Sequence, residues 1–301
     1  MFSAANVHLK QSSANTTFIF GGLVGGLGTN TNYINRFKSS VRTTDSVYFA
    51  TGISGMSAAA INSKSYLFGG YQGSNQVNKI VEYTGEAINN KAQTLETTQD
   101  NSCAATLSNI AFIFGGHYVD LLTSIQRYNG STRSTDSATL YQKRYQACCS
   151  PNTTLGVIFH FGGSNFTSGK LVERYDGSTR STDSATLYHQ LSLSSAGFIG
   201  ANNYLMGGYD GWDDIPTNII QKYTGTTMST VSQCLYNRFD HSGSSMDNNV
   251  YKFGGRDSAY SYGTIERFDG VSDRSILESA QLVSQLSQTA ATVINNIRSY
   301  A

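Results

Sequence analysis

Phe112-Ile113-Phe114-Gly115-Gly116 decides the fold, because the chain writes this stretch six times with small variations. Its Gly-Gly pairs begin at Gly21, Gly69, Gly115, Gly162, Gly207 and Gly254, in steps of 48, 46, 47, 45 and 47 residues. Before each pair stands a short run with large residues two apart: Phe18 and Phe20, Tyr66 and Phe68, Phe112 and Phe114, Phe159 and Phe161, Tyr204 and Met206, Tyr251 and Phe253. A period of two is the mark of a β-strand with one face buried. The glycines that follow allow positive φ and a close approach of neighbouring backbones. Self-similarity at a fixed spacing means an array of one repeated unit.

Working outward from this strand, each unit next shows an apolar-x-x-aromatic element: Ile34 to Phe37, Ile80 to Tyr83, Ile125 to Tyr128, Val172 to Tyr175, Ile220 to Tyr223 and Ile265 to Phe268. Asn129-Gly130, Asp176-Gly177 and Asp269-Gly270 then predict two-residue hairpin turns, with Thr-Gly at 84 and 224 and Lys38-Ser39 in the first copy. Upstream lies a small-residue strand, as in Ser57-Ala58-Ala59-Ala60 and Cys103-Ala104-Ala105-Thr106, suited to a crowded inner position. Asn62-Ser63, Asn202-Asn203 and Asn248-Asn249 are read as the turn between these first two strands. Each unit therefore has four strands, A to D, with Gly-Gly closing strand B. The twelve residues GSTRSTDSATLY recur unchanged at Gly130–Tyr141 and Gly177–Tyr188, the trace of a duplicated unit.

This pattern resembles the Kelch-repeat β-propeller, on the strength of the period, the aromatic strand ending in Gly-Gly and the Tyr-Asp-Gly turn. The resemblance spans Phe18 to Ala301 and implies an all-β, Kelch-like propeller of six four-stranded blades. Thr289-Ala290-Ala291-Thr292-Val293 repeats the strand A pattern, so the C-terminus is expected to supply strand A beside Phe18–Phe20 and close the ring, removing exposed edges. Two alternatives stand beside this: strand A from the N-terminal segment, or an amphipathic helix over Ile276–Ile297 carrying Leu282, Leu286, Val293 and Ile297. Residues 1–14 read as an arm and 15–301 as a single propeller domain. Where the family usually has a tryptophan in strand D, this chain has Arg133, Arg180 and Met228, and its one tryptophan is Trp212. The near-identical, Ser/Thr-rich units look more like the Kelch-type propellers of bacteriophage structural proteins.

Composition narrows the function. The 301 residues carry 21 Lys+Arg against 20 Asp+Glu, and charged residues make up 14% against about 25% in a typical soluble protein. No basic excess points to nucleic acid. Low charge with 12% aromatics is the reverse of a disordered chain. No run of about 20 apolar residues offers a membrane span. No basic stretch followed by an apolar one opens the chain, so no secretory signal is expected. Cys103, Cys148, Cys149 and Cys234 lack C-x-x-C spacing and read as free thiols.

The A–B and C–D turns share one face of such an array and are tight. The B–C and D–A loops share the other face and vary in length, the usual setting for recognition. The B–C loops carry Tyr71 in the second unit, His117, Tyr118 and Asp120 in the third and Phe166 in the fourth. In the fifth they carry Tyr209, Asp210, Trp212, Asp213 and Asp214, and in the sixth Arg256, Tyr260 and Tyr262. Aromatics beside carboxylates suit sugar rings, whose C–H faces stack while their hydroxyls hydrogen-bond. They equally suit protein interfaces. The acidic cluster at 210–214 lacks the spaced pattern of a calcium loop, and no histidine pair has metal-ligand spacing. His160, inside strand B, reads as structural. Arg36, Arg127, Arg174, Lys222 and Arg267 precede the strand C aromatic and read as links between neighbouring units, with Glu82 in that place in the second.

No nucleotide, zinc or hydrolase motif is present, and nothing assembles the two histidines, two tyrosines and linked cysteine of the copper–radical oxidases found on some Kelch-type propellers. The expectation is a non-enzymatic structural or attachment protein without cofactor or metal, part of a phage virion assembled in the host cytoplasm. Its partners would be other structural proteins of that assembly and a host-surface glycan or protein. The alternative is a soluble glycan-binding or adaptor propeller.

Overall fold

A computed structural model describes residues 15–24, 29–38, 40–164, 169–211, 213, 215–271, 274–277 and 280–294. The expected arm at 1–14 lies outside them. The chain is all-β, with six sheets built on the A-to-D plan and antiparallel throughout. The third sheet is representative: Cys103–Leu107, Ile110–Phe114, Ser124–Tyr128 and Arg133–Thr139 follow one another, with Cys103 opposite Phe114, Phe112 opposite Arg127 and Tyr128 opposite Arg133. In the first sheet the inner strand is C-terminal. Ala290–Ile294 pairs with Thr16–Phe20, with Phe18 opposite Thr292 and Phe20 opposite Ala290. This pairing displaces both alternatives, the N-terminal strand A and the helix over Ile276–Ile297, whose described part holds the strands Leu286–Ser287 and Ala290–Ile294. The leucine spacing that fits a helix is met instead by an extended segment with Leu282 and Leu286 packed under the sixth sheet.

The inner strands Ser57–Ile61, Cys103–Leu107, Cys148–Asn152, Ser195–Ile199, Ser242–Met246 and Ala290–Ile294 each contact the next, and the last contacts the first. Residues of each strand alternate between burial in the sheet packing and a shared channel. Small side chains such as Ala58, Ala104, Ala196 and Ala291 line this channel, together with Phe198 and Val293. Just before each inner strand, one residue with φ between 50° and 62° joins a cycle of backbone hydrogen bonds. Asn101 N–H donates to Gly55 O (2.8 Å), Gln146 to Asn101 (2.8 Å), Leu193 to Gln146 (2.8 Å), Asp240 to Leu193 (3.0 Å), Gln288 to Asp240 (2.7 Å) and Gly55 to Gln288 (3.2 Å).

Between sheets, apolar clusters join strand B of one unit to strand C of the next, as with Phe112 and Phe114 around Tyr175, whose ring centroids lie 5.1 and 5.6 Å away. The strand C cations tie the same joints. Arg127 pairs with Asp136 at 2.9 Å, lies over the Phe112 ring at 5.4 Å and donates to Gly177 O in the next unit, while the Tyr175 hydroxyl donates to Asp136. Arg36, Asp45 and Tyr83 repeat this, as do Arg174, Asp183 and Tyr223. Burial, then the adjacent carboxylate, pushes each of these phenols upward in pKa, so the tyrosine keeps its proton and donates. At two joints the carboxylate position holds Val231 or Leu277, and the facing ring is Phe268 or Phe37 in the same apolar cluster. In the second unit Glu82 instead accepts from Tyr66 (2.8 Å) and pairs with Lys64 (3.1 Å).

Two turn expectations need correction. The Asn129-Gly130 and Asp176-Gly177 sites are four-residue loops and Asp269-Gly270 lies in a five-residue one: Asn129 Oδ1 accepts the Ser131 and Thr132 N–H groups (3.0 and 2.8 Å), and Gly130 sits at φ 97°. The side chain supplies the acceptor that a tighter turn would take from the backbone. The first unit has the shorter link, with Lys38 opposite Val41 and Ser40 at φ 73°. The A–B turns at Asn62-Ser63 and Ser108-Asn109 are two-residue, both residues at positive φ, while the fourth unit has four residues between Asn152 and its partner Val157. In the sixth unit the turn is Asp247-Asn248, and in the fifth Asn202 and Asn203 already belong to strand B. The thiols of Cys103, Cys148, Cys149 and Cys234 are free. Among the described residues no helix is long and apolar enough to cross a membrane.

Candidate functional site

Each strand B leads into its Gly-Gly pair toward the face shared by the B–C and D–A loops. The glycines are required there: at Gly162, φ is 57° and a Cβ would stand 2.3 Å from Leu191 O. The next residue, Gly163, donates to that same carbonyl at 2.8 Å. This close approach lets the segment entering each unit lie against the loop leaving strand B. Ile53–Ser54 pairs with Tyr71–Gln72, Leu191–Ser192 with Tyr209 and Asp210, and Leu286–Ser287 with Leu23–Val24. Single bridges join Asp100 to His117 and Tyr145 to Ser164 in the same way.

The result is a cavity of about 730 Å³ on this face, within the range of small-molecule sites of about 300–1,000 Å³. From the predicted set it gathers Tyr71, His117 and Tyr209. It adds Asp100, Asn101, Tyr145, Gln190, Ser192 and Gln288 from the segments entering the inner strands. Asp100 is its most constrained polar group, 2% exposed. Its carboxylate accepts from the Gln76 and Asn101 side-chain amides, and His117 Nδ1 lies 3.4 Å away. Burial raises the Asp100 pKa, partly offset by those hydrogen bonds. Burial and the nearby Asp100 raise that of Tyr71. The His117 and Tyr145 rings lie 5.8 Å apart, and Tyr209 is set edge-on against Phe239 at 5.2 Å.

The other predicted residues lie elsewhere. Asp210 is 2% exposed and hydrogen-bonds His189 Nδ1 at 2.5 Å, an inward support for the loop. It follows Tyr209 on an extended strand, so the two side chains point to opposite faces. Tyr118 and Asp120 are exposed at the rim, Asp120 paired with Lys143. Arg256 pairs with Asp240 at 2.6 Å and lies over Phe239 at 4.6 Å. Tyr260 is exposed. Tyr262 donates to Asp257 at 2.5 Å, a bond that with burial pushes its pKa up to about 12, and stacks on Tyr236 beside a second cleft with Ile215 and Pro216. Phe166, Trp212 and Asp214 lie outside the described residues.

One juxtaposition is invisible in the linear spacing. His189, Asp210 and Asp213 offer ligand atoms within 4.8 Å of one another, a set that could hold a metal ion. Strand C supplies another feature that sequence reasoning passed over. Asn35, Gln126, Glu173, Gln221 and Glu266 are buried, and each accepts a backbone N–H from the segment leaving the preceding unit, such as Tyr141 N to Glu173 (2.8 Å). Their regular place, immediately after the apolar residue that starts the apolar-x-x-aromatic element, was the signal available. His160 is fully enclosed, and burial, then Arg144, drives its pKa well down, as expected of a structural neutral histidine.

No protein-family model and no curated protein matches the chain. Among solved structures, that of YjhT is similar over 79% of this chain and 86% of its own, with a TM-score of 0.65 and 10% sequence identity. At that identity the likeness concerns the fold.

Proposed function

We propose that the chain is a Kelch-like β-propeller of six blades, closed by its C-terminal strand, and that it works as a non-enzymatic binding module through the face carrying Tyr71, His117 and Tyr209. The observation that carries this reading is the cavity itself: loops of four different units converge on one polar, aromatic-lined hollow. The cyclic chain of hydrogen bonds through Gly55, Asn101, Gln146, Leu193, Asp240 and Gln288 supports the closed ring. The module's setting in our reading is a phage virion, where it serves in assembly and host attachment. Support for that setting is the style of repeat, with twelve residues duplicated without change.

Two experiments test the reading. Tyr71→Ala with Tyr209→Ala should abolish binding to intact host cells while leaving the folded protein's circular dichroism unchanged; undiminished binding would refute the assignment of this face. Gradient sedimentation of native lysate should place the protein with capsid or tail components. Migration as a free 32.6 kDa species would refute the virion setting.

A further inference from the structure

We infer that the cavity takes an uncharged sugar, a neutral hexose or N-acetylhexosamine unit of a glycan, and discriminates against acidic sugars. This rests on the binding reading of the same face and adds the ligand's chemistry. The first argument is charge. The lining contains one carboxylate, Asp100, and no Lys or Arg. The B–C loop residues outside the described set, 25–28, 165–168, 212 and 214, contain none either. The cations next to Tyr145 in sequence are committed elsewhere: Lys143 to Asp120 and the buried Arg144 to Glu173. Apart from the His117 imidazole, which already faces Asp100 at 3.4 Å, a ligand carboxylate or phosphate would be desolvated next to Asp100 with no counter-charge, an arrangement that costs free energy.

The second argument concerns Asp100 itself. Both of its oxygens already accept hydrogen bonds, from Gln76 and Asn101. Each oxygen keeps a second acceptor site, and Asp100 is almost fully buried, so it presents a polar wall suited to hydroxyl groups rather than an open carboxylate. The third argument is the remaining surface. Tyr71, Tyr145 and Tyr209 are half-buried rings from separate loops. They are spread around the hollow, giving flat faces for sugar C–H groups. The amides of Asn101, Gln190 and Gln288 carry both donors and acceptors, which matches vicinal hydroxyls and an acetamido group. Recognition of an uncharged, polyhydroxylated ligand needs this mixture of apolar faces and neutral hydrogen-bonding groups.

The test is an array of neutral oligosaccharides, each printed beside its sialylated, uronic-acid and phosphorylated counterparts, with a trimethyl-lysine peptide as the cationic probe. The full chain is applied, and the best ligand is then titrated calorimetrically. The expected result is saturable binding of a neutral glycan, at least tenfold tighter than its acidic counterpart, and weakened at least tenfold by Tyr209→Ala or Tyr145→Ala at unchanged unfolding midpoint. Asp100→Asn should narrow the neutral-to-acidic ratio. Equal or tighter binding of an acidic glycan, or preference for the cationic peptide, would overturn the ligand class while leaving the face in place. If no glycan binds while host-cell binding still depends on Tyr71 and Tyr209, the sugar inference falls alone. If host-cell binding ignores those tyrosines, the face falls with it.

Discussion

Replacing Asp136 by alanine removes the shared acceptor at the joint between the third and fourth sheets, and its cost follows from the groups left behind. Tyr175 is 2% exposed and donates its hydroxyl to Asp136. A buried hydrogen bond to a charged group contributes about 1.5–3 kcal/mol. Arg127 has a side chain 36% exposed, so its pair with Asp136 is screened and adds about 0.2–1 kcal/mol. The variant should therefore lose roughly 2–4 kcal/mol, most of it from the stranded phenol. A double-mutant cycle with Tyr175→Phe isolates that part: the coupling should be about 1.5–3 kcal/mol, because removing the hydroxyl also removes the unsatisfied donor. The chain carries its own control. Tyr128 occupies the same place at the preceding joint but donates to its own loop, to Gly130 O at 2.9 Å. Tyr128→Phe should then cost only about 0.5–1.5 kcal/mol, the ordinary net value of a neutral hydrogen bond. Equilibrium urea unfolding followed by far- and near-ultraviolet circular dichroism reads the wild type and the four variants. A coupling below about 0.5 kcal/mol, well under the charged hydrogen-bond range, would refute the reasoning, as would Tyr128→Phe proving as costly as Tyr175→Phe.

Acid stability should depend on Glu82. Burial raises its pKa, but hydrogen bonds from Tyr66, Lys64 and Asn89 outweigh burial and hold it at about 2, below the ordinary 4.5. A depressed folded pKa means stability that is present above pH 4.5 and lost as pH falls toward 2. Glu82→Gln should flatten the unfolding midpoint over that window relative to wild type; parallel curves would count against it. Above that window the wild-type midpoint should already decline below pH 6.5, since burial drives the pKa of His160 and His241 well under that value, and a flat curve from pH 7 to 5 would oppose this. Gly162→Ala should cost more than about 2 kcal/mol, because left-handed φ alone costs a non-glycine residue about 1–2 kcal/mol and the new methyl meets Leu191 O; a near-neutral effect by thermal melting would contradict the close approach. Removing residues 286–301 should leave Thr16–Phe20 an open edge and yield aggregated protein by size-exclusion chromatography, whereas a monomeric, cooperatively melting product would show that the C-terminal strand is dispensable.

The sheets were legible because each rests on local rules repeated six times. Phe112 and Phe114 alternate on a strand that must bury one face, and Gly115-Gly116 must pass the Arg144 backbone, so period and punctuation agree. Repetition also exposed the C-terminal strand, since Thr289–Val293 resembles the inner strand at Cys103–Leu107. Turn detail was less legible. Asn129-Gly130 fits the sequence of a two-residue hairpin, but Asn129 spends its side chain on the Ser131 and Thr132 N–H groups, and that choice favours the longer loop. The joints were half legible. Arg127 signalled a cross-unit tie, but its partner Asp136 lies within the duplicated stretch and its purpose shows only beside Tyr175. The exchange of Asp and Tyr for Val231 and Phe268, or Leu277 and Phe37, then follows from one requirement: a phenol needs an acceptor, and a phenyl ring needs apolar cover.

The candidate face shows why periodicity reaches only part of a site. A repeat fixes where loops leave the scaffold, and it does so for the B–C loops that carry Tyr71, His117 and Tyr209. It does not fix which side chain of a loop turns outward. Tyr209 and Asp210 are consecutive on one extended strand, so pleating alone sends one to the cavity and the other to His189. Nor does a repeat favour the entering segments over the leaving loops, although pairing across each Gly-Gly turn obliges both to reach the same surface. Asp100 is the clearest case. Its backbone bridges to His117, which holds it at the cavity wall, and the Gln76 and Asn101 amides compensate its burial. A carboxylate supported in this way beside a lining that, among the described residues, holds no Lys or Arg would impose a charge preference on a ligand of the proposed site, and that preference, more than the number of aromatic rings, is what makes the ligand's chemistry testable.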